Sequence, residues 1–87
     1  MMLEIGSIAR SKAGRDAGRL FVVCGIIDDA FVFIADGDLR KAGKPKKKRR
    51  KHLEPVGTVE ARMTQRLAEG AKVADHELRE ALAVWKP

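Results

Sequence analysis

The apolar run Leu20-Phe21-Val22-Val23-Cys24-Gly25-Ile26-Ile27 limits the possible folds more than any other stretch of the chain. It is apolar on both faces, which fits a strand buried inside a sheet. Just before it, Gly14 and Gly18 bracket Arg15-Asp16-Ala17. That spacing suits a tight loop that needs positive φ or close backbone approach. Four cations surround the loop: Arg10, Lys12, Arg15 and Arg19. A basic loop that exposes its backbone on a rigid strand is well made for gripping phosphate, which accepts from N–H groups and cationic side chains alike.

The flanking sequence completes a small sheet. Leu3 to Arg10 alternates imperfectly, as a first strand at a sheet margin does. The loop Ser11 to Gly18 leads into a central strand, Arg19 to Ile27. Asp28-Asp29 reads as a turn, Ala30 to Ala35 as a third strand rich in β-formers, and Asp36-Gly37-Asp38 as the next turn. Leu39 is placed to begin another strand, interrupted by Gly43 and Pro45. After Glu54-Pro55-Val56-Gly57 the period lengthens to that of a helix. Thr58 is the expected N-cap, with Val59, Met63 and Leu67 on one face and Gly70 as the stop. Asp75 is the expected cap of a second helix, with Glu77 near its start, Leu78, Ala81, Leu82 and Trp85 on one face, and Lys86 near its end. Two helices this short are not stable alone and must pack on the sheet, on a partner or on each other. The expected division is a β unit over residues 1–54 with a basic arm at 40–52, followed by a helical hairpin over 55–87.

With 87 residues the chain has room for one domain and a core too small for a deep cleft. Its net charge is +6, but residues 1–53 carry 13 basic against 6 acidic side chains while residues 54–87 carry 5 against 6. A basic first half joined to a near-neutral second half points to a polyanionic partner. Nine cations lie between Arg40 and Lys51, half of all Lys and Arg in the chain. Such a block repels itself, so it is expected to be mobile or held only as an edge strand, with Leu53 pointing inward. Cys24 is the sole cysteine, which excludes an internal disulfide and a cysteine metal cluster, and it reads as a small buried hydrophobe. The longest apolar run has 8 residues against the roughly 20 that span a bilayer, and no apolar leader stands at the N-terminus. The expectation is a soluble, cytoplasmic chain that does not engage a membrane.

Catalysis finds little support. Asp28, Asp29, Asp36 and Asp38 are conceivable metal ligands, but both pairs sit where turns favour Asp for local backbone hydrogen bonds. His52 and His76 stand apart with no ligand-spaced neighbours, and no nucleophile–base set is present. The reading is a non-enzyme with no cofactor and no metal.

The run from Gly6 to Val23 resembles the KOW motif of ribosomal proteins and transcription-elongation factors. The longer stretch, through Ile34-Ala-Asp-Gly-Asp-Leu-Arg-Lys41 and Pro45-Lys-Lys-Lys48 to Lys51-His-Leu53, is similar to the large-subunit ribosomal proteins of the L-fourteen-e type and to small bacterial KOW-domain relatives. The resemblance covers about residues 3–53. It implies a mainly β fold, a small SH3-like β-barrel, here followed by two short C-terminal helices. It also implies RNA binding through the loop Ser11 to Gly18 and adjacent basic residues. On the loop side these are Arg10, Lys12, Gly14, Arg15, Gly18 and Arg19. Along the arm they are Arg40, Lys41, Lys44, Lys46, Lys47, Lys48, Arg49, Arg50 and Lys51. The implied partner is structured RNA, ribosomal RNA above all, with large-subunit proteins as further neighbours and the free chain a monomer.

Three details complete the expectation. Asp16 is expected to order the loop by pairing with Arg15 or Arg19. Phe31 and Phe33 share a face; exposed they would stack bases, but in so small a barrel they are expected in the core. Charge reversal at Arg15 and Arg19 is expected to weaken RNA binding without unfolding the domain. The competing reading is a protein-interaction module, in which Val59, Met63, Leu67, Leu78, Leu82 and Trp85 face a partner instead of capping the barrel.

Overall fold

The computed structural model describes residues 2–85. Strands β1 (Ser7–Ser11), β2 (Leu20–Ile26), β3 (Phe31–Ala35), β4 (Lys46–Arg49) and β5 (Leu53–Thr58) form one antiparallel sheet in the order β4-β3-β2-β1-β5. The doubly apolar run is the middle strand, as its composition requires. Leu20 to Val23 are buried, whereas Ile26, paired with Val32 at the end of β2, is 44% exposed. A bulge lies between the pairs Val23↔Ile34 and Gly25↔Phe33, with Cys24 as the extra residue.

Several boundaries differ from expectation, each for a local reason. β1 begins at Ser7, because residues 4–7 close a turn in which the Ser7 N–H donates to the Glu4 carbonyl at 2.9 Å and the Glu4 N–H to Ser7 Oγ at 2.8 Å. Leu39 starts no strand: Asp36 Oδ1 accepts from the Asp38 and Arg40 N–H groups at 3.0 and 2.8 Å and winds the chain into a turn there. The fourth strand is the Lys run itself, paired from Ile34↔Lys46 to Phe31↔Arg49. A 3-10 turn, Arg50–His52, joins it to β5. β5 carries the sheet through Pro55, which is tolerated because the strand is an edge and the ladder slips between Ile8↔Gly57 and Ala9↔Pro55.

Thr58 therefore ends a strand and caps no helix. Helix α1 (Ala61–Ala68) follows Glu60, and α2 (Asp75–Ala83) follows Ala74. Asp75 is the first helical residue; its Oδ1 accepts the Ala42 N–H at 2.6 Å and ties the helix to the β3–β4 connection. Gly70, at φ +73°, lets the chain leave α1, as expected. Lys86 lies outside the described residues.

The sheet is buried on both faces. On one, Ile8, Leu20, Val22 and Ala35 meet Val59, Met63, Val73, Leu78 and Leu82, so the helices cover the sheet with the predicted apolar stripes. On the other, Leu3, Ala9, Phe21, Val23, Val32, Ile34 and Leu53 form a second cluster without any helical member. Most of these seven are fully buried, so the sheet itself must roll around them. Each of the larger side chains among them contributes about 1.5–3 kcal/mol by leaving water. The rolled sheet is not closed by hydrogen bonds: β4 and β5 are its two edges and share no ladder.

Candidate nucleic-acid interface

The loop between β1 and β2 is closed by its own backbone. Gly18 N–H donates to the Ser11 carbonyl at 2.8 Å, Arg19 N–H to Asp16 at 2.9 Å and Ala17 N–H to Gly14 at 3.2 Å. Gly14 and Gly18 have φ of +79° and +88°, the left-handed conformation that their spacing predicts. The Gly18 amide is thus spent on the loop and does not face outward as a phosphate donor, whereas Gly14 remains exposed.

Behind the loop stands Asp16, its carboxylate without exposed area. It orders the loop as expected, but through different partners: Arg40 Nη2 at 3.2 Å and Lys46 Nζ at 3.3 Å. Burial pushes the Asp16 carboxyl up, yet the hydrogen bonds and charges of Lys46 and Arg40 outweigh it and hold the group below the ordinary range. Lys48 is buried as well and donates to the Ala13 carbonyl at 3.2 Å. Lys12 N–H donates to the His52 carbonyl at 2.8 Å, so the base of the loop lies on the 3-10 turn. Loop and Lys run are therefore one surface.

The expected contact residues divide in two. Arg19 is engaged by Asp36 at 2.9 Å and Asp38 at 3.2 Å. Burial raises the Asp36 carboxyl, but the Arg40 and Asp38 N–H groups and the Arg19 guanidinium bring it below the usual range. Arg40 and Lys46 hold Asp16, and Arg50 bridges the Leu3 and Asp28 carbonyls, each at 3.1 Å. Lys12, Arg15, Lys41, Lys44, Lys47, Arg49 and Lys51 are exposed and enter no ion pair within 4.0 Å among the described residues. Arg10 only approaches Glu54, at 4.0 Å. A four-residue strand explains the split: Lys46 and Lys48 turn toward the loop, Lys47 and Arg49 toward solvent.

Phe31 and Phe33 are not in the core. They share the sheet face of Ala35 but lie beyond the helices that cover it; Phe33 is 38% exposed, and Lys47 Nζ and Arg49 Cζ stand 4.3 and 4.9 Å from the centre of the Phe31 ring. The core is filled instead by Phe21 and by valine, isoleucine and leucine side chains. Asp28 and Asp36 accept backbone N–H groups at their turns, as the turn reading expects. Among the described residues no group of three or more His, Cys, Asp or Glu is placed to hold a metal. Burial raises the Cys24 thiol to about 11, consistent with an inert side chain. No helix among the described residues is long and apolar enough to cross a membrane. The apolar surface imagined for a protein partner is largely used internally, with Val59, Met63, Leu78 and Leu82 buried and Trp85 lying partly exposed over Gly57.

Fold and site together define a small, basic, mainly β protein whose cations gather on one glycine-hinged loop and the neighbouring edge strand. Over 54 residues, 62% of this chain and 56% of the relative, the sequence is 43% identical to the large ribosomal subunit protein eL14 of the archaeon Desulfurococcus amylolyticus. Over 57 residues, 66% of this chain and 59% of the relative, it is 40% identical to eL14 of Staphylothermus marinus. The resemblance read from the KOW stretch is therefore to curated proteins of this name, and these are named as ribosomal proteins, not as enzymes. The matched chain spans a little over half the length of those relatives. No family model matches it.

Proposed function

We propose that this protein binds structured RNA of the large ribosomal subunit, through phosphate contacts made by the β1–β2 loop and the β4 edge. The observation that carries the reading is the division of the cations. Arg40, Lys46 and Lys48 hold the loop from behind, and that leaves Lys12, Arg15 and the Gly14 backbone facing outward beside Lys47 and Arg49. A binding surface built this way is ordered before RNA arrives, so little ordering entropy is lost on contact. We assign direct contact to Lys12, Gly14, Arg15, Lys41, Lys44, Lys47, Arg49 and Lys51, with Arg10 at the margin. Gly18, Arg19, Arg40, Lys46, Lys48 and Arg50 shape the surface and add to its field. The rolled sheet, with a 3-10 turn joining its last two strands, supports the SH3-like barrel that the KOW resemblance implies. The names of the relatives support a place on the ribosome, in the cytoplasm. We further propose that the chain is a monomer when free. Because Arg19 is committed to Asp36, its reversal would set like charges together and disturb the fold. The better test is Lys12→Glu with Arg15→Glu. This variant keeps its thermal midpoint but loses at least about ten-fold in affinity for large-subunit RNA, from two lost charge contacts. Unchanged affinity would remove the loop from the mechanism.

A further inference from the structure

The phosphate contacts leave one patch of the sheet unused. β3 turns Phe31, Phe33 and Ala35 to the same face, but the helices reach only Ala35. Beside Phe33 in β2 stands Gly25, where a Cβ would sit 3.3 Å from the ring, so the ring lies along bare backbone. On the other side β4 sets Lys47 opposite Phe33 and Arg49 opposite Phe31. Asp28, the carboxylate whose ionisation Lys47 favours, is already occupied by the Ala30 and Phe31 N–H groups at 2.8 Å. Their charged heads stand over the neighbouring Phe31 ring, at 4.3 Å for Lys47 Nζ and 4.9 Å for Arg49 Cζ, which leaves the exposed Phe33 ring open beside them, and neither cation has a carboxylate within 4.0 Å among the described residues.

We propose that Phe33, floored by Gly25 and flanked by Lys47 and Arg49, stacks the base of an unpaired RNA nucleotide whose phosphate the two cations receive. The proposal rests on the RNA-binding reading above and adds to it a preference for unpaired over fully paired RNA. An aromatic ring offers a π-face to any base, and adjacent cations complement the attached phosphate. Bases inside a duplex keep both faces in the stack, so only a loop, bulge or end can supply one.

The test compares a hairpin RNA, with a fluorescent adenine analogue in a purine-rich loop, against the same stem fully paired. Phe33→Leu keeps apolar volume at an exposed site, and its circular dichroism and thermal midpoint should match those of the parent. The expected result is an affinity for the hairpin lower by about ten-fold, an unchanged affinity for the duplex, and loss of the analogue's quenching. Phe33→Trp restores both signals. Undiminished hairpin affinity and quenching in Phe33→Leu, with binding still lost in the Lys12→Glu, Arg15→Glu variant, would overturn the stacking site and leave the phosphate reading intact. Equal weakening toward both RNAs would overturn it too. A parent protein that binds neither RNA would overturn both.

Discussion

Asp16 is a carboxylate with no exposed area in a loop otherwise lined by cations, and its two partners come from residues 24 and 30 positions further along the chain. Removing it leaves Arg40 and Lys46 without a counter-charge and the loop without its rear anchor. Both cations remain about a third exposed, so water recovers part of the loss. Asp16→Ala should therefore cost about 1–3 kcal/mol, read as a lower urea midpoint, with loop amides exchanging faster than those of β2. An unaltered midpoint and unaltered exchange would mean that the carboxylate does not anchor the loop. That Asp16 orders its loop was legible in the sequence, because Asp between glycines in a cationic loop has few other uses. Its partners were not, because a strand formed by Lys46 to Arg49 has to be known before Lys46 can be placed.

At the scale of elements, strands β2 and β3 stand out because their β-branched and aromatic residues run together, and the α1 and α2 stripes because their period is helical. The Lys run was legible as either a mobile segment or an edge strand, and it is the edge strand β4; its bounds and register were not legible, because Lys-Lys-Lys-Arg carries no β-forming side chain and its pairing with β3 is a tertiary fact that propensity does not encode. β5 was hidden for a similar reason, since Pro55 and Gly57 argue against a strand until the edge position and the slipped ladder are known. The size of Phe33 argues for the core, but the helices stop short of its ring and leave it exposed. The helices themselves are joined by a bidentate pair, Arg66 to Glu77, with both N–O distances 2.9 Å. That bond, with the Ala74 N–H, brings the Glu77 carboxyl down from 4.5 to about 2. A group depressed in the folded state stabilises above its unfolded value and loses that contribution as pH falls through its folded one. The helix pair should accordingly loosen between about pH 4.5 and 2. The Trp85 ring, seated on Gly57 of β5, reports it as a red-shifted emission. Glu77→Gln should abolish that acid step; an identical step in the variant would assign the transition to other carboxylates.

For the whole molecule, the placement of the cations says more than the net +6 of the sequence. Five of the expected contact cations, Arg19, Arg40, Lys46, Lys48 and Arg50, are partly or wholly spent inside the fold. With about five phosphates neutralised by the rest, affinity for RNA should fall by roughly two to three orders of magnitude over a four-fold rise in salt. A salt-titration slope near zero would remove counterion release, and with it the phosphate-contact reading.

The Lys run has another consequence, and it concerns the protein in the absence of RNA. β4 is a free edge of the sheet, a row of unpaired backbone groups on which a second copy could build. Every residue along that edge is cationic, so any copy adding itself in register sets ammonium against ammonium. The segment proposed to hold RNA is thus also the guard against fibrous self-association. Neutralising it with apolar residues to study RNA binding would remove the guard as well; reversal to Glu at the solvent-facing Lys47 and Arg49 separates the two, because it keeps the edge charged and leaves Lys46 on Asp16 and Lys48 on the loop.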